Sequence, residues 1–237
     1  MPRLLNSSCL PFSRVESNTV PALICRIPRA RLQPRLTCLL EANRSIDDAE
    51  SGHGKGQPLG EMRSMPHSSL EVANEFLRLA QEEGVQLTQM QLQKLVYLAH
   101  GYSLAIEGEP LVEDNVEAWD YGTVFRLLWN ALTQYGNAPV PGIIRWGDGS
   151  GFIRKGGKEA NARLSRTEKA IVEKVWATYG RYPAFKLSAL THDPNGPWKQ
   201  HYVKGENRVI PNESIREYFR NLIRHANGQK QTSDRGY

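Results

Sequence analysis

The chain has 237 residues, 40% of them apolar, and a net charge of +5, which suits one folded unit with flexible ends. No run approaches the roughly 18 consecutive apolar residues that a membrane-spanning helix needs. The three cysteines, Cys9, Cys25 and Cys38, all lie in the first forty residues, which excludes a disulfide framework. A soluble cytoplasmic protein is expected, because a core without oxidised sulfur suits a reducing compartment. The N-terminus also lacks the compact apolar stretch and cleavage site of a secretory signal.

Residues 1–69 carry nine Lys or Arg against six Asp or Glu, and residues 227–237 add another +1, leaving only +1 for residues 70–226. Phosphate neutralisation supplies much of the affinity for nucleic acid. The nearly neutral body therefore argues against a nucleic-acid partner.

Residues 1–67 show no sustained period of 3.6 or 2, and Asp47 to Gly60 is rich in Gly, Ser, Asp and Glu. Such a segment cannot bury enough apolar surface to offset its ordering entropy. It is expected to be a disordered extension, or to precede a true start at Met62 or Met65. Its Arg-rich first forty residues also have the composition of an organelle transit peptide. The folded domain is expected over 68–226, with a flexible tail over 227–237.

Ser68 and Glu71 have capping-box spacing, which satisfies free amides at a helix start. Ala73, Phe76, Leu77 and Ala80 continue it as one apolar face, and Gly84 is placed to end it in a left-handed turn. A second box, Thr88 with Gln91, opens a helix whose buried face is traced by Leu92, Leu95, Val96, Ala99, Ser103 and Ile106. The short connection predicts a helical hairpin.

Beyond the Gly108-Glu109-Pro110 turn, Val116, Ala118 and Tyr121 predict a short extended segment. Gly122 then turns the chain into a helix expected over Val124–Tyr135. Ile143–Trp146 and Phe152–Lys155 flank a glycine-rich loop and read as a small hairpin. A third box, Ser165 with Glu168, starts a helix reaching Gly180, and Pro183 suits the first position of a short helix through Leu190. Pro194 to Pro197 is expected to be a loop. An extended piece near Arg208–Ile210 and a final helix marked by Ile215, Phe219, Leu222 and Ile223 complete a mainly α, compact multi-helix bundle with a small β-hairpin or short sheet.

Catalytic signatures are missing: the sequence has no G-x-S-x-G, H-E-x-x-H, phosphate-loop or paired C-x-x-C motif. His100, His192 and His201 lack the i, i+4 spacing that sets two metal ligands on one helix face. His100 is expected to be a hydrogen-bonded structural residue. No cofactor and no metal are expected. The acidic residues Glu113, Asp114 and Glu117 are read as solvated surface. Trp129 and Trp176 are assigned to the core, whereas Trp119 either plugs the end of the bundle or anchors a partner.

Several of these segments together resemble the SocA-like antitoxins, the Panacea-domain family. They are Leu92-Gln93-Lys94-Leu95-Val96-Tyr97-Leu98-Ala99-His100-Gly101-Tyr102, then Glu109-Pro110-Leu111 and Glu117-Ala118-Trp119-Asp120-Tyr121-Gly122. Downstream, Leu187-Ser188-Ala189-Leu190-Thr191-His192 and Pro197-Trp198 continue the likeness in order. Where the family has proline after Tyr-Gly, this chain has Thr123, whose hydroxyl is expected near the helix start. The resemblance implies a non-enzymatic antitoxin that binds a cognate protein toxin, either by neutralising it directly or as a proteolytic adaptor delivering it to the ClpXP protease. DNA-binding autorepression is an additional activity to weigh. Trp119, Asp120, Tyr121, Thr123 and Arg126 are the toxin-binding candidates, as aromatic and charged residues at a loop junction.

Overall fold

The structure, a computed structural model, describes residues 65–146 and 157–233, with side chains described through residue 226. Helix α1 (Ser69–Glu82) begins as the spacing predicts. Ser68 Oγ accepts from the Leu70 and Glu71 amides, while the Glu71 carboxylate accepts from the Ser68 amide. Gly84, at φ +66°, ends it. Just upstream, His67 pairs through its backbone with Leu111 and Glu113, tying the residues before α1 to the Leu111–Glu113 segment.

Helix α2 (Gln89–Ile106) carries the second capping box as expected. Its burial is not confined to one face, however, because every residue from Leu92 to Leu104 is buried. A helix covered on all sides is the centre of a bundle. It packs against α1, against α4 (Arg166–Tyr179), α5 (Ala184–Thr191) and α7 (Asn212–Ser233), and against a small sheet. At Gly101 it lies close against α7, where a Cβ would fall 2.3 Å from the Phe219 ring.

The sheet is antiparallel in the order β2–β1–β3, with β1 (Val116–Trp119) central, β2 (Gly122–Phe125) and β3 (Arg208–Ile210). Val116 lies opposite both Phe125 and Ile210. The helix expected from Val124 therefore starts later, as α3 (Arg126–Leu132) followed by a 3-10 turn over Thr133–Tyr135. Two sets of bonds make Val124 and Phe125 strand residues. One is the ladder to β1. The other comes from α2, where the Gln93 amide donates to Phe125 O at 3.1 Å and accepts from Phe125 N at 2.8 Å, while Lys94 Nζ donates to Thr123 O at 2.8 Å. Side chains thus occupy the outer edge of β2 and satisfy backbone groups that would otherwise be orphaned.

Ile143–Trp146 is not a regular strand; it forms an isolated bridge, Arg145 to Glu159. Its partner segment is Lys158–Ala160; the other predicted arm, Phe152–Lys155, lies outside the described residues. Buried Asn74 holds both segments, donating to Ile144 O and Ala160 O and accepting from Ile144 N. Helix α4 has its predicted capping box, and Pro183 is the residue before α5 rather than its first. The predicted loop ending at Pro197 gives way to a five-residue helix, α6 (Pro197–His201), with proline at its first position, where a missing N–H costs nothing. Helix α7 runs on past Asn227 to Ser233. Among the described residues, no helix is long and apolar enough to cross a membrane.

Candidate functional site

The two residues Asp120 and Tyr121 connect β1 to β2, with Trp119 opposite Gly122. Gly122 sits at φ +105°, and a Cβ there would lie 2.7 Å from Lys94 Nζ, 2.9 Å from Thr191 Oγ1 and 3.0 Å from His192 Cε1. Only glycine meets both demands, on backbone angle and on space.

The backbone and side chains of this turn are held by four residues from separate parts of the chain. From α6, Trp198 Nε1 donates to Trp119 O at 2.8 Å. From α5, Ser188 Oγ donates to Tyr121 O at 3.2 Å. Lys94 of α2 secures Thr123 from beneath. Just after α6, Tyr202 donates its hydroxyl to Asp120 Oδ1 at 2.8 Å and stacks on Trp198 with ring centroids 4.6 Å apart. Trp198 also meets His192 in an edge contact, with ring centroids 4.0 Å apart.

A charged and aromatic cluster flanks the turn. Glu117 accepts from Arg126 Nε and from Trp119 Nε1, each at 2.8 Å. The Arg126 guanidinium carbon lies 5.2 Å from the Trp119 ring centroid, within cation–π range. Trp119 also packs against Trp129 at 5.2 Å. Trp129, expected in the core, is only half-buried and backs Trp119. Trp176 is buried as expected. The acidic residues read as one solvated group are divided: Asp114 accepts from the Ser69 amide and Glu117 belongs to the arginine pair.

Lys94 is fully buried, and burial lowers its pKa to about 7. Burial also lowers the pKa of His192, helped by the nearby Lys94 charge. His192 Nδ1 lies 2.6 Å from Ser188 O and 3.5 Å from Ser188 Oγ. The carbonyl requires a proton on Nδ1, so this nitrogen cannot serve as a base for the Ser188 hydroxyl. His100, as expected, is structural. Its Nδ1 accepts from the Val112 amide at 3.2 Å, its Nε2 faces Asn212 Oδ1 at 3.1 Å, and burial lowers its pKa to about 4. Among the described residues, no three potential metal ligands come together.

Of the five residues singled out in the sequence, Asp120, Tyr121 and Arg126 are exposed, Tyr121 by 76%. Trp119 is half-buried. Thr123 is fully buried, in β2 rather than at the start of α3, and its hydroxyl meets no partner. It shapes the turn from below and adds nothing to its surface. Lys94, Ser188, Thr191, His192, Trp198 and Tyr202 complete the site. All but Tyr202 lie in the motif segments, but their convergence depends on contacts far apart in sequence. Phe185, also 76% exposed, lies three residues before Ser188 on α5, hence on the same helix face. Its surroundings in the sequence do not mark it.

A family model described as "Antitoxin SocA-like, Panacea domain" matches residues 92–199. The chain is similar to Antitoxin SocA of Caulobacter vibrioides (strain NA1000 / CB15N), with 33% identity over 132 residues that cover 54% of this chain and 66% of that protein. The chain thus spans slightly less than two thirds of the length of the curated relative it matches. No solved structure matches. The matched stretch, 92–199, contains Lys94, the whole turn, Ser188, Thr191, His192 and Trp198.

Proposed function

We propose that this chain, which belongs to the SocA-like Panacea-domain antitoxin family, is the antitoxin of a toxin–antitoxin pair and grips its cognate toxin with the Trp119–Gly122 turn. The observation that carries this reading is the convergence of separate motif segments on that one turn. Four residues on α2, α5, α6 and the segment after α6 hold it, yet its tip presents Tyr121 to solvent. A rigidly held, solvent-facing aromatic loses little freedom on binding and suits an interface anchor. Tyr121 and Phe185 form the apolar part of the surface, while Asp120 and Arg126 supply charge at its margin.

Action is by binding rather than catalysis, and the adaptor mode is the finer part of the proposal: the bound toxin is handed to the ClpXP protease. This mode rests on the family resemblance.

The test is binding to the protein encoded beside this one. Tyr121→Ala should weaken that complex about ten-fold or more, as loss of an interface anchor does. Because Tyr121 is exposed, stability should change by less than about 0.5 kcal/mol. Calorimetric titration and thermal unfolding measure the two quantities. Full-strength binding by Tyr121→Ala would place the interface elsewhere.

A further inference from the structure

We propose that Lys94 is the positioning residue of the recognition turn, holding β2 from beneath when neutral and releasing the Asp120–Tyr121 tip when it takes up a proton. This inference rests on the binding role assigned to that tip above. Lys94 Nζ has 2.8 Å contact with Thr123 O, and it lies directly under Gly122 together with Thr191 Oγ1 and the His192 ring.

The groups around the nitrogen explain the switch. From β2 it meets the Thr123 carbonyl and Gly122, and from α5 Thr191 and His192. None of these is an anion, and His192 becomes a like charge if protonated. The neighbouring carboxylates are engaged elsewhere, Glu117 with Arg126 and Trp119, Asp120 with Tyr202, and Asp193, beside His192, with Tyr218 and the Asn195 amide. A neutral amine is content with the Thr123 carbonyl. An ammonium brings a charge and further donors into a place with no counter-ion, which is costly unless water enters. Gly122 and Thr123 lie against Nζ, so a displacement of this part of the turn admits that water. Burial sets the pKa of Lys94 to about 7, which puts the change within the range a cell experiences.

The arrangement predicts a quantity. If only the neutral form holds the tip in its binding conformation, the competent fraction is about one-eleventh at pH 6 and ten-elevenths at pH 8. Apparent affinity then rises about ten-fold between those values.

The experiment follows the intact chain by NMR from pH 5.5 to 9, reading the Lys94 side-chain carbon shifts and the Tyr121, Gly122 and Thr123 amides. Coincident midpoints near pH 7, abolished for the amides in Lys94→Met, are the expected result. A Lys94 that titrates above pH 9, or turn amides that stay still while it titrates, overturns the proposal. Both are read from the unmodified protein, so poor folding of Lys94→Met does not block the test. Titration of the neighbouring gene product at pH 6 and pH 8 is the second measurement. A ten-fold difference in the wild type and none in Lys94→Met supports the switch, whereas equal wild-type affinity at both values overturns it. Failure of that product to bind at any pH would instead remove the toxin-binding reading, and the NMR result would still decide the switch.

Discussion

Two buried bases on α2 contribute to stability through their neutral forms. His100 has a folded pKa of about 4 against an ordinary 6.5. Its contribution is therefore complete above pH 6.5 and is lost as pH falls toward 4, because only the unfolded chain readily binds the proton. The loss is on the order of 3 kcal/mol. Lys94 behaves alike in a higher window: its contribution is complete above about pH 10.5 and is lost as pH falls to about 7. Urea unfolding should thus show the wild type more stable at pH 9 than at pH 7, with that difference reduced in Lys94→Met. An unchanged difference in the variant would show that Lys94 is charged in the folded state. At this scale the sequence is informative about identity and silent about setting. The lack of ligand spacing pointed to a structural His100, and the structure bears this out. The Lys94 environment was invisible, because its neighbours Thr123, Thr191 and His192 come from segments 29 or more residues away.

Among the elements, α2 decides most of the architecture. Its meeting with α7 depends on Gly101, since any Cβ would intrude to 2.3 Å from the Phe219 ring. Gly101→Ala gains helix propensity of about 1 kcal/mol but forces an aromatic ring that also packs edge-on against Tyr97 and Tyr102. Overpacking of this kind costs about 1–3 kcal/mol, so the midpoint of thermal unfolding should fall by several degrees. An unaltered midpoint would mean that α7 moves away freely. The three capping boxes were legible because each is a local pairing of four residues. The Val124–Phe125 strand was not, because it is imposed by Gln93, Lys94 and β1, and nothing within the segment itself opposes a helix. The five-residue α6 was hidden for a related reason: a proline that ends one element is equally suited to begin the next.

At the scale of the whole molecule, the folded unit includes His67, whose ring also lies 3.4 Å from Glu168 of α4. A truncation that tests the N-terminal extension should therefore remove residues 1–64 and leave this contact intact. If the extension tethers a protease during adaptor action, its loss leaves affinity for the toxin unchanged while slowing toxin degradation, because local concentration falls. Reconstituted degradation with ClpXP measures this, and equal rates for the two forms would remove the tether. The mainly α bundle with a small sheet was legible from periodicity and punctuation. The location of the turn proposed to bind was only partly so: the Trp119–Arg126 junction was marked, but its union with the Ser188–His192 and Pro197–Trp198 segments appears only in three dimensions.

The filled outer edge of β2 restricts how any visitor can be recognised. Gln93 and Lys94 already occupy the main-chain positions at which an incoming extended peptide would add a strand. A partner that approaches along this edge of β2 finds those positions taken and is read there through side chains. Such contacts impose no secondary structure on what is held, so exchanging a few tip residues can change the partner while the scaffold stays the same.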